Sequence, residues 1–151
     1  HTRFEVVTGV QTCALPICEE PWFDDFAKLM AVTDTVLLDI KHIDDEAHRR
    51  LTRFGNANIL DCARYLSDIG KPVWIRHVLV PGITDDEASL VRLHDFLSSL
   101  SNIERIEVLP YHTLGTFKYE KLGIAYPLRD TPTPTPESVA RARNILEGTI
   151  G

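Results

Sequence analysis

Val73-Trp-Ile-Arg-His-Val-Leu-Val-Pro-Gly82 is the stretch on which the fold turns. The run from Val73 to Val80 is mostly apolar, and the Pro81-Gly82 turn stops it. A short apolar run bounded by turn residues reads as a buried strand. A helical face stands before it: Ile59, Cys62, Leu66 and Ile69, closed by Gly70. Another stands behind it, with Leu90, Leu93, Leu97 and Leu100 at helical spacing. Thr84-Asp-Asp-Glu87 opens that helix and reads as a capping box.

Further out the pattern repeats. Thr35-Val-Leu-Leu-Asp-Ile40 reads as a strand, and Arg105 to Leu109 as a third. Trp22, Phe23, Phe26, Leu29 and Met30 recur at helical spacing ahead of them. Asp130 to Pro136 reads as an extended linker, and Thr135-Pro136 opens a last helix carrying Val139, Ile145 and Leu146. Strands alternating with helices predict an α/β fold of right-handed parallel units. The expected strands, 35–40, 73–80 and 104–109, are adjacent in chain order with helices on one side. Three strands cannot close a barrel, so one edge is left where earlier strands should sit.

Composition narrows the function. The 151 residues are 44% apolar and 25% charged, which fits a globular domain and not a disordered chain. Net charge is −6 and no basic stripe is visible, which argues against nucleic acid and an anionic membrane surface as partners. No apolar run reaches the roughly 18 residues of a membrane span. No signal-peptide pattern is visible, and three cysteines make no disulfide scaffold, so a cytoplasmic location is expected.

Each strand ends on something polar. Asp39 and Lys41, two apart, share a face of the first strand. Arg76 interrupts the second strand, and His112 follows Leu109-Pro-Tyr at the end of the third. In parallel α/β domains chemistry sits at the C-terminal strand ends. An Asp, a Lys, an Arg and a His there can together hold a zwitterion with a carboxylate and an amine. The plainer reading makes Arg76 an internal salt-bridge partner, Asp39–Lys41 a structural ion pair, and His112 a surface turn residue.

At these residues the sequence resembles a known family. Val32-Thr-Asp-Thr-Val-Leu-Leu-Asp-Ile-Lys41, Val73 to Gly82 and Ile106-Glu-Val-Leu-Pro-Tyr-His112 are similar, in order and spacing, to segments of the pyruvate formate-lyase activase family of radical S-adenosylmethionine (SAM) enzymes. The resemblance covers about residues 19–151. It implies the C-terminal half of a partial (β/α)6 barrel. It implies a [4Fe–4S] cluster on a Cys-x3-Cys-x2-Cys loop, and SAM cleaved to a 5′-deoxyadenosyl radical. That radical takes a hydrogen atom from a glycine of a partner, a glycyl radical enzyme, in anaerobic metabolism; a flavodoxin-like protein is the implied reductant. Asp39, Lys41, Arg76 and His112 match positions of the SAM pocket, and Asp39 also matches a monovalent-cation site.

The cluster motif has no match in this chain. Cys13 and Cys18 have the wrong spacing, and Cys62 reads as a small buried hydrophobe. His42 and His48 lie in a polar stretch expected to be exposed. Residues 1–18 match no segment of the family; the run Gly9 to Cys18 resembles translated sequencing-adapter read-through, which makes both its cysteines accidents. The expectation is therefore a fragment without catalytic residues of its own and inactive alone. Two rivals stand beside it: a Schiff-base lyase on a (β/α) barrel using Lys41 as the amine, and a non-catalytic α/β binding fragment.

Overall fold

The computed structural model describes residues 21–113 and 116–148. The segment 1–18, with Cys13 and Cys18, lies outside the described residues. Strands β1 (Val36–Asp39), β2 (Val73–Leu79) and β3 (Ile103–Pro110) form one parallel sheet in chain order. The helices are α1 (Phe23–Ala31), α2 (Asp45–Thr52), α3 (Ala57–Asp68), α4 (Glu87–Ser98), α5 (Thr116–Lys121) and α6 (Pro136–Glu147). Among the described residues no strand pairs with the outer edge of β1 or of β3. No helix among them is long and apolar enough to cross a membrane.

The sheet has one covered face. Val73, Ile75, His77 and Leu79 alternate with less buried neighbours along β2. The inward residues join Leu38 and Ile40 from the first strand and its end, and Val108 from β3. Met30 of α1, Leu66 of α3, Leu93 of α4 and Leu146 of α6 close over them in a single core. Each such side chain taken out of water contributes about 1.5–3 kcal/mol. The opposite face presents Trp74, Arg76 and Val78 of β2 in register with Arg105, Glu107 and Leu109 of β3.

That register depends on one irregularity. Val73 pairs with Ile103, yet Trp74 pairs with Arg105, so Glu104 is an extra residue in β3. Such a bulge moves the following side chains to the other face. Ile106 and Val108 therefore reach the core, and Arg105 and Glu107 turn to the open face.

Two local expectations need correction. The cap of α4 is Asp86, whose carboxylate accepts from the Ser89 amide, so Thr84 is not the capping residue. Thr84 instead donates to the Val78 carbonyl at 2.6 Å and accepts from the Val80 amide at 2.7 Å, fastening the Pro81-Gly82 turn. The second correction is α2, which hydrophobic spacing does not reveal. It is held by the Asp44 cap and by the pairs Arg49–Asp45 and Arg50–Glu46, one turn apart. The last helix starts as expected, with Thr135 accepting from the Ser138 amide and Pro136 in the first turn.

Candidate functional site

The C-terminal end of the sheet gathers charge on its open face. Parallel pairing sets Asp39 beside Arg76, and Arg76 beside Glu107. The Arg76 guanidinium forks onto Asp39: Nε donates to Oδ1 at 2.7 Å and Nη2 to Oδ2 at 3.3 Å. Lys41 Nζ donates to the same Oδ2 at 3.1 Å. Burial by itself would raise the Asp39 pKa, but the Arg76 hydrogen bond and the Lys41 charge outweigh it and hold the carboxyl below its ordinary value. The side chains of Asp39 and Arg76 are only 14% and 18% exposed, so this pair is poorly screened by solvent.

Beside the cluster runs a groove of about 620 Å³, lined by Lys41, Val78, Thr84, Leu109, His112 and Tyr126, among others. Its walls are mainly apolar side chains, with Lys41 and His112 at the polar rim. His112 is exposed. Tyr111, buried at the end of β3, meets the Tyr126 hydroxyl at 2.8 Å and donates to the Leu128 carbonyl at 3.2 Å. This contact folds the 126–128 segment over the groove.

The structure thus brings Asp39, Lys41 and Arg76 into direct contact and sets His112 on the groove that Lys41 also lines. Sequence reading sets Trp74 on the Arg76 face of β2 but missed Arg105 and Glu107 as neighbours of the cluster. Arg105 pairs with Glu107 at 2.8 Å and lies over the Trp74 ring, 5.0 Å from its centroid. Strict alternation from the start of β3 would have counted them on the wrong face, because the bulge resets the phase.

His42 and His48 are buried, contrary to expectation. The loop after β1 closes on itself: the Asn56 amide donates to the carbonyls of His42 and Ile43. His42 Nδ1 accepts from the Asp44 amide at 3.0 Å, and His48 Nδ1 meets the Phe54 carbonyl at 2.7 Å. Cys62 is buried on α3, and burial pushes its thiol up to about 12. Among the described residues no group of three or more His, Cys, Asp or Glu is placed to hold a metal. They offer no ligand set for an iron–sulfur cluster.

Comparison with known proteins bears on the family and the fold. The family described as the Radical SAM superfamily matches residues 4–94, a range that takes in most of the segment 1–18 that sequence reading set outside the family. The chain is 52% identical over 140 residues to the pyruvate formate-lyase-activating enzyme of Streptococcus mutans serotype c, covering 92% of this chain and 53% of that protein. It is 46% identical over 143 residues to the enzyme of that name from Listeria monocytogenes serovar 1/2a, covering 94% and 58%. It therefore spans about half the length of these curated relatives. A crystal structure of a domain of pyruvate-formate lyase-activating enzyme from Bacteroides vulgatus superposes with a TM-score of 0.68 at 26% identity, covering 82% of this chain and 68% of that one.

Proposed function

The chain belongs to the radical SAM superfamily, and from that premise we propose that it forms the C-terminal half of an activating enzyme that installs a glycyl radical on pyruvate formate-lyase or a related enzyme. The observation that carries this reading is the Asp39 carboxylate held by Arg76 and Lys41 at the strand ends, beside an apolar-walled groove. SAM combines an amino-acid zwitterion with a flat apolar-faced base, and the donor set suits both parts. Arg76 and Lys41 match a carboxylate, Asp39 an ammonium, and Val78, Leu109 and Tyr126 offer surface for the base. His112 stands on the rim of the same groove.

When bound with a [4Fe–4S] cluster, SAM supplies the hydrogen-abstracting chemistry. This chain's residues bind and orient it. They do not fit the cluster, since Cys62, the cysteine among the described residues, is buried on a helix with a thiol that resists ionisation. The cluster is assigned to an upstream segment, in keeping with a chain that spans about half the length of its curated relatives. A glycyl radical enzyme as partner, a flavodoxin-like reductant and a cytoplasmic location belong to the same proposal. A Schiff-base role for Lys41 is disfavoured because its amine is engaged with the Asp39 carboxylate at 3.1 Å.

The test is anaerobic reconstitution with iron and sulfide. The chain alone should give no SAM-cleaving centre by electron paramagnetic resonance and no 5′-deoxyadenosine. Joined to the upstream half, it should give both. In that longer protein Arg76→Ala should weaken SAM binding about tenfold or more, the loss of one charged hydrogen bond. Turnover from residues 1–151 alone, or unchanged SAM affinity in the variant, would refute the reading.

A further inference from the structure

His77 occupies the face of β2 opposite Arg76, buried between sheet and helices. Its imidazole bridges two stretches of main chain. Nδ1 lies 2.9 Å from the Ile40 carbonyl oxygen, and Nε2 lies 3.1 Å from the Thr84 carbonyl oxygen. Carbonyls only accept hydrogen bonds. A neutral imidazole carries one N–H, so it donates to one of these oxygens and turns a lone pair toward the other. Only the doubly protonated ring donates to both.

One of these carbonyls belongs to the groove-lining Thr84, and the other to the residue before the groove-lining Lys41. Ile40 directly precedes Lys41, and Lys41, Val80 and Thr84 all line the groove. The far side of the Thr84 turn is already fixed by the Thr84 hydroxyl, bonded to Val78 and Val80. The His77 ring bridges that turn directly to the end of β1, whose Ile40 amide also donates to the Arg76 carbonyl. The charged and titratable groups around it come from each packed segment. Lys41 acts on it from the end of β1, and His42 is buried alongside. His42 is in turn influenced by Asp44, Asp86 and Arg92. Burial disfavours the charged ring more than the two carbonyls favour it, so the His77 pKa lies below the ordinary histidine value.

We infer that His77 is a positioning residue of the strand-end groove: its ring ties the Lys41 segment to the Thr84 turn, with one arm made by the neutral ring and both arms by the doubly protonated ring. Falling pH therefore draws the two segments into a more fixed relation, whatever ligand the groove takes. The test is nitrogen NMR of the labelled 151-residue chain between roughly pH 4 and 8. At the alkaline end one His77 ring nitrogen should carry a proton, and at the acid end both. The backbone amides of Lys41 and Asp85, which follow the two carbonyls, should move with the same midpoint as the ring. In His77→Gln, whose amide donates from one end only, that shared midpoint should be lost while the remaining spectrum stays dispersed. A ring whose protonation does not change, or that changes while the Lys41 and Asp85 amides stay still, overturns the inference. So does persistence of the amide movement in His77→Gln. The wild-type titration decides the point by itself should the variant not fold.

Discussion

At the scale of single residues, the Asp39–Arg76–Lys41 cluster is a stability element as well as a candidate site. The folded-state pKa of Asp39 is depressed. Its contribution is therefore complete above the unfolded carboxylate value of about 3.9, and is lost as pH falls through the lower folded value. His42 and His77 are also depressed, by burial first. For a histidine this means that the neutral form is favoured by folding, so stability falls as pH drops below about 6.5. Urea unfolding across pH should show both steps. Asp39→Asn should cost about 1–3 kcal/mol at neutral pH, keep the histidine step, and converge on the wild type only once pH has fallen through the lowered Asp39 value. A constant gap down to about pH 2 would mean that Asp39 acts through its shape and not its charge. Asp39, Lys41 and Arg76 were legible because two-residue alternation fixes their shared face. The buried histidines were not. His42 and His48 sit among charged residues, and only the Asn56 amide, arriving from 14 and 13 residues downstream, folds that stretch inward.

At the scale of elements, caps decide where helices begin. Asp86 caps α4 with its carboxylate on the Ser89 amide at 2.9 Å. Asp86→Ala should lower stability, read as a drop in the denaturation midpoint. Glu87→Gln, at the position a Thr84 capping box would use, should change it little. An equal loss from both would restore the box reading. The sequence contained a cap signal two residues too early, because Thr84 and Asp86 are both good capping residues and only the turn shows which is already committed. Helix α2 escaped notice for a different reason. His48 is its one buried side chain, so it has charge pairs where a hydrophobic stripe would be expected. Strands β2 and β3 were found within one or two residues, since their apolar runs are long enough to outweigh their ends.

At the scale of the whole molecule, the sheet is covered on one face and presents Trp74, Arg76, Arg105 and Glu107 on the other. Joining the upstream half should bury that face. Trp74, stacked by Arg105, then becomes the reporter: in a Trp22→Phe background its emission should move to shorter wavelength and resist quenching by iodide when the longer chain is compared with residues 1–151. Equal quenching in the two would mean that the open face is not where the rest of the protein packs. The parallel α/β layout was legible in the alternation of runs, but the composition of this face was not, because it depends on Glu104. A strand is read like a code with a two-letter frame, and Glu104 is a one-letter insertion. Count it as an ordinary letter, and every later letter of β3 changes meaning: Arg105 and Glu107 would be spelled into the oily layer, and Ile106 and Val108 out of it.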